Sequence, residues 1–167
     1  VIKSLSKKLP GKVIVIRRRN LGASYSTNQG ISLASAFWIR LLDGDDCVTY
    51  KSTEKMLSLA SKLKTEFVYG LMDNNKKIID SRKKPDYFFQ TKENGLRKFI
   101  KNCPANSSCI FISKKHYFSS GGCNESFISP DQVLFLRLFS KGNGIFLKEI
   151  VALLPASDQI KGRLSTQ

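Results

Sequence analysis

"FWIRLLDGDD", residues 37–46, joins an apolar run of strand length to three carboxylates, Asp43, Asp45 and Asp46, within four positions. The apolar half predicts a buried strand, and the acidic half predicts the loop at its carboxyl end. Three ionised aspartates this close repel one another, and a hard divalent cation held by carboxylate oxygens relieves that repulsion. An Asp-Gly turn with a solvated face, or a cap on the following helix, is the other reading. The choice depends on what the strand sits beside.

Upstream, residues 12–17 (KVIVIR) form a β-branched run set off by Pro10-Gly11, which predicts another buried strand. Between the two strands, residues 23–35 place Tyr25, Gln29, Leu33 and, just beyond, Ala36 at near-helical spacing. A strand-helix-strand order favours two parallel strands joined by a right-handed crossover, with the loops past their carboxyl ends open to ligands. The acidic stretch belongs to that edge. Downstream, 53–63 carries Met56, Leu57, Ala60 and Leu63 in an amphipathic helical pattern, and 66–72 reads as a strand. Asp73, Asn74 and Asn75 supply turn chemistry before 76–80, which predicts a hairpin. A short basic helix over 92–101, a strand over 109–113, a helix over 132–139 and a strand over 144–154 complete the order. This is one mixed α/β domain across 1–167.

Composition narrows the partners. The chain has 28 Lys and Arg against 13 Asp and Glu, a formal charge of +15, so its surface attracts phosphates, anionic headgroups or acidic partners. It contains no apolar run of membrane-spanning length and does not open with a signal-peptide core. Cys47, Cys103, Cys109 and Cys123 form no CxxC pair and have no nearby histidine, which argues against zinc and for reduced thiols in a cytoplasmic protein. His116, the single histidine, is read as lying on a helix surface or in a satisfied, partly buried position. The chain starts at Val1, which suggests further sequence before it.

Two blocks carry a resemblance. "NLGASYSTNQGISLASAFWIRLLDGDD" (20–46) resembles the segment of inverting family 2 glycosyltransferases in which an Asn-x-Gly loop, a helix with a second Asn and a Gly, and a strand ending in Asp-x-Asp follow in order. "SSCIFISKKHYFSSGGCNESFISPDQVLFLRL" (107–138) resembles the same family's strand, its Gly-Gly-x-x-Glu-x-Phe turn and the helix that opens on an acid, with Arg six residues on.

The resemblance implies a GT-A fold, a Rossmann-like, mostly parallel mixed sheet flanked by helices. It implies a nucleotide-diphosphate sugar donor and a divalent cation, Mn²⁺ or Mg²⁺, held by Asp45 with Asp43. Asn20, Asn28, Asp43 and Arg137 fall at donor-binding positions, and Asp131 at the position of the general base. Pro130 stands where the family usually has Glu. Family members also have strands ahead of the one matched by 12–17, so the resemblance implies an N-terminally incomplete domain.

Each residue also has a plainer reading. Asn20 and Asn28 can hold a loop through backbone hydrogen bonds. Gly22 and Gly30 read as conformational, and Arg17, Arg18 and Arg19 as a phosphate contact or a solvated run. Ser129-Pro130-Asp131-Gln132 is also a good helix start. A helix N-terminus keeps Asp131 ionised but weakens it as a base, so catalysis would require burial to raise its pKa.

The leading functional reading is a metal-dependent inverting glycosyltransferase that moves sugar to a saccharide or glycolipid hydroxyl in surface polysaccharide or glycolipid synthesis. It would be cytoplasmic, with peripheral contact at the anionic inner face of the membrane, and nucleic acid is not among its expected partners. The competing class is a non-catalytic basic nucleic-acid-binding domain, with Tyr87, Phe88 and Phe89 beside Arg82, Lys83 and Lys84 as a stacking patch. A nucleotidyltransferase, the third reading, would want a Gly-rich phosphate loop that the sequence does not show.

Overall fold

Runs of β-branched and aromatic residues alternate with amphipathic stretches along this chain, and most of these runs meet a partner in one sheet. The computed structural model describes residues 13–73, 86–127 and 130–154. Its strands are β1 (Trp38–Arg40), β2 (Cys47–Val48), β3 (Phe67–Asp73), β4 (Tyr87–Gln90), β5 (Ile110–Ser113) and β6 (Gly144–Leu153). Its helices are α1 (Ala23–Leu33), α2 (Ser52–Leu63), α3 (Lys92–Lys101), α4 (Lys114–Ser119) and α5 (Pro130–Lys141), with a 3-10 turn at Ser107–Cys109.

The sheet runs β1-β5-β3-β6-β2, and β4 shares the outer edge of β6. Both β1 and β3 lie antiparallel to β5, while β3 is parallel to β6. The strands β1, β3 and β6 therefore run the same way, and their carboxyl ends share an edge with the entry into β5. Ile110 and Ile112 on β5 and Phe67, Val68 and Tyr69 on β3 are wholly buried, as central strands covered on both faces require. One face carries an aromatic core in which Phe99 of α3 stacks on Phe135 of α5 at 4.2 Å between ring centres. Helices α3 and α5 approach this closely because Gly95 has no side chain: a Cβ there would lie 2.1 Å from the Phe139 ring.

The sheet is more antiparallel than the strand-helix-strand pattern predicts, and among the described residues its one parallel ladder is β3 with β6. Residues 13–16 are not a buried strand: their side chains are between 40% and 50% exposed, and no ladder includes them. A β-branched run becomes a strand only against a neighbour. Here the segment is tied to α1 instead, with the Arg18 guanidinium over the Tyr25 ring at 4.3 Å and donating to Ser26 Oγ at 2.6 Å.

Helix α1 buries Ser24 and Ile31, with Asn28 between them, and leaves Leu33 exposed. Its inward face is thus turned from the one that Tyr25 and Leu33 suggested. The hairpin expected over 73–80 lies outside the described residues beyond Asp73. Strands β2 and β4 go beyond the expected elements, and the helical setting read around His116 is α4, which Ser113 starts by accepting the His116 N–H on its hydroxyl. His116 itself is buried, stacked on Phe67 and bonded through Nε2 to the Leu138 carbonyl. All four cysteines are unbridged.

Candidate active site

The pairing of β1 with β5 decides where the aspartates go. Arg40 lies opposite Phe111, so continuing the antiparallel register past β1 brings Asp43 opposite Ser108. The Asp43 N–H does donate to Ser108 Oγ, at 2.9 Å. Asp46 closes the loop with its N–H on the Asp43 carbonyl at 3.2 Å, so Asp43-Gly44-Asp45-Asp46 forms a tight turn at the sheet edge. Asp45 is exposed, whereas Asp46 is buried and accepts from Asn106 Nδ2 at 3.0 Å.

Asp131 arrives from the far part of the chain, in the first turn of α5. The packing of α5 on α3 brings that end to the same edge; Gln132 Nε2 donates to the Phe99 carbonyl at 2.7 Å. Asp131 Oδ1 accepts the Ser107 N–H at 2.9 Å, while the Ser107 hydroxyl lies 3.0 Å from each carboxylate oxygen of Asp43. Three consecutive residues, Asn106, Ser107 and Ser108, thus touch Asp46, Asp131 and Asp43. Sequence reasoning did not single them out. Their signal is a small polar cluster immediately before an apolar strand.

The environment shifts two of these carboxyls. Burial raises the Asp131 pKa, and the nearby Asp46 adds to it, against the pull of the Ser107 hydrogen bonds. Asp43 is raised first by the protein packed around it and then by Asp131, Asp46 and Asp45, again against the Ser107 hydroxyl. Beneath them, Arg40 donates to the carbonyls of Ile110 at 3.1 Å and Val151 at 2.9 Å, tying β1 to β5 and β6. Burial lowers its pKa to about 10.

The other sequence candidates sit around this edge in supporting positions. Asn20 Oδ1 accepts the Gly22 N–H at 3.0 Å, forming the turn that launches α1 from Gly22 at φ +88°. Asn28 spends its amide on the turn at 121–123: Oδ1 accepts from the Cys123 N–H at 3.0 Å and the Tyr117 hydroxyl at 2.6 Å, and Nδ2 donates to the Cys123 carbonyl at 3.0 Å. Arg137 holds the same turn from the other side, through Nη1 to the carbonyls of Gly121 and Gly122 at 2.8 and 3.0 Å. The structure brings Asp43, Asp45 and Asp131 to one edge and puts Asn28 and Arg137 on the glycine turn.

A cavity of about 600 Å³ opens between α1 and β1, lined by Ser26, Thr27, Gly30 and Leu41 and bounded by Asp43 and Ser107. Among the described residues no three His, Cys, Asp or Glu side chains form a ready-made metal cage. The donor set fits a cation of another kind: one or two carboxylates on an open turn suit Mg²⁺ or Mn²⁺ that completes its shell with water and phosphate oxygens. No helix among the described residues is long and apolar enough to cross a membrane.

Comparison with known proteins names the class that this edge suggests. Residues 1–121 match the family model for glycosyl transferase family 2, and the chain belongs to that family. No curated protein sequence matches it. Among solved structures, the chain is similar to S. aureus TarS 1–349 in complex with UDP-GlcNAc, with a TM-score of 0.74 at 11% identity over 99% of this chain. It resembles two further structures of S. aureus TarS 1–349, one (TM-score 0.68, 13% identity, 92% of this chain) and one in complex with UDP (TM-score 0.69, 13% identity, 93% of this chain). The likeness establishes a shared GT-A fold. The chain spans about half of the matched TarS chain, 47%, 46% and 46% in the three cases.

Proposed function

We propose that this domain transfers a sugar, with inversion, from a nucleoside diphosphate sugar to a hydroxyl acceptor. The observation that carries the reading is the meeting of Asp43 and Asp131, distant in sequence, on the two hydrogen-bonding groups of Ser107. That leaves one carboxylate for the donor side and one for the acceptor. Family membership and the TarS complex with UDP-GlcNAc support a nucleotide-sugar donor. The cavity beside Asp43 has the volume of a small-molecule site.

In this mechanism Asp131 accepts the proton of the acceptor hydroxyl as its oxygen attacks the anomeric carbon from the face opposite the leaving group. The bond from that carbon to the diphosphate oxygen breaks, and the nucleoside diphosphate leaves with the bonding pair. A helix N-terminus alone would make Asp131 a weak base; the burial that raises its pKa supplies the compensating shift. Asp45 and Asp43 would hold a divalent cation, Mn²⁺ or Mg²⁺, which when bound neutralises charge on the departing diphosphate. Asn20 shapes the loop at the donor side, and Asn28 and Arg137 act there by fixing the glycine turn.

The acceptor is a saccharide or glycolipid in surface polysaccharide assembly, met at the inner face of an anionic membrane. The net charge of +15 favours that surface. The test is NMR of the sugar released from UDP-GlcNAc with Mn²⁺, water standing in for the acceptor. Inverted anomeric configuration, lost in Asp131→Asn, is expected. Retained configuration, or release unaffected by that substitution, overturns the mechanism.

A further inference from the structure

Ser108 and Asn106 each serve one partner at the acidic edge, taking the Asp43 N–H and donating to Asp46. Ser107 serves two. Its N–H is committed to Asp131 and its hydroxyl lies against Asp43. A hydroxyl carries one proton and can donate to one carboxylate at a time.

We propose that Ser107 is a positioning residue that couples Asp43 to Asp131: its hydroxyl donates to Asp43 in the ligand-free protein and turns to Asp131 once Asp43 engages the donor. Donor binding would then add a second hydrogen bond from Ser107 to the base and fix the carboxylate for the acceptor. The first half, coupling of the two carboxylates through one residue, stands on the hydrogen bonds of its N–H to Asp131 and of its hydroxyl to Asp43. The second half rests on the proposed transferase reading.

The geometry favours a coupling role over simple turn-building. The turn is already closed by the Cys109 N–H on the Asn106 carbonyl at 3.0 Å, and it does not need the Ser107 hydroxyl. Ser107→Ala keeps the backbone N–H on Asp131 and removes only the hydroxyl that lies against Asp43. Ser107→Thr restores it.

The experiment is a double-mutant cycle in the ligand-free protein at pH 7, read by the ¹³C carboxyl resonance of Asp131. Asp43→Asn is expected to displace that resonance in wild type and to displace it less when Ser107 is Ala. Equal displacement in both backgrounds means that only through-space charge connects the pair, and overturns the coupling. Alongside it, release of UDP from UDP-GlcNAc with Mn²⁺ is measured for wild type, Ser107→Ala and Ser107→Thr. Removing a hydrogen bond to a charged group predicts about a tenfold or greater fall in kcat for Ser107→Ala with a smaller change in donor KM, and recovery in Ser107→Thr. Wild-type kinetics in Ser107→Ala overturn the donor-dependent half. A wild-type protein that releases no UDP while the resonance cycle shows coupling would instead sink the transferase reading and leave the coupling in place.

Discussion

Gly122→Ala probes the turn that Asn28 and Arg137 share, and its cost can be worked out in advance. Gly122 has φ +58°, where an L side chain costs about 1–2 kcal/mol. A Cβ there would also lie 2.8 Å from Asn28 Oδ1 and 2.9 Å from Tyr117 Cε1, inside contact distance of groups already hydrogen-bonded to each other. Overpacking of that kind typically adds about 1–3 kcal/mol. The sum is about 2–5 kcal/mol, or roughly 5–15 °C in Tm for a chain of this size. Gly121→Ala is the control: its φ of +90° carries the backbone strain, but its Cβ would sit 3.7 Å from Arg137 Nη1, in ordinary contact. Urea unfolding followed by fluorescence and circular dichroism reads both variants. Gly122→Ala should fall below Gly121→Ala by the packing component. Equal stabilities would mean that Asn28 and Tyr117 do not enclose the turn as described.

Other consequences follow from buried charge. The native Asp131 pKa is raised from the ordinary 3.8, so the folded protein holds this proton more tightly than the unfolded chain, and stability is lost as pH rises through the native value. Asp131→Asn should therefore raise Tm at pH 7, with the gain fading below about pH 4. His116 behaves oppositely. Burial lowers its pKa from 6.5, so its contribution is intact above that value and is lost as pH falls through it; His116→Gln should flatten the acid limb of a Tm-against-pH curve. Arg40→Met removes its hydrogen bonds to the Ile110 and Val151 carbonyls, of which Val151 keeps the Thr49 N–H and the Ser52 hydroxyl, and should cost about 1–3 kcal/mol with an unchanged urea m-value.

The sequence made some of this legible for identifiable reasons. The helix over 92–101 appears at those bounds because Thr91 caps it and a steady helical period follows. The strand expected over 66–72 is β3, Phe67–Asp73, clear because its first four residues are buried and need a run without charge. Residues 13–16 misled because propensity reports what a strand would bury, while the ladder that would accept it is a matter of topology. The same limit applies at the site. Asp43 and Asp45 could be named from residue type and spacing, and Asp131 from the resemblance to family 2 glycosyltransferases. That Ser107 joins Asp43 to Asp131 follows only from the antiparallel register of β1 with β5 and from the packing of α5 on α3, and neither is local in sequence. The resemblance puts Asn28 at a donor-binding position, and that its amide holds the glycine turn is visible only in the fold.

The central claim is that the edge carrying Asp43 and Asp45 binds a nucleoside diphosphate through a divalent cation. Thermal unfolding with UDP, GDP and CDP, each with and without Mn²⁺, tests it most directly, because a ligand that binds the folded state alone raises Tm by mass action. The account predicts a Mn²⁺-dependent rise with at least one nucleotide, absent in Asp45→Ala. No rise with any of the three, or a rise unchanged in Asp45→Ala, would contradict it.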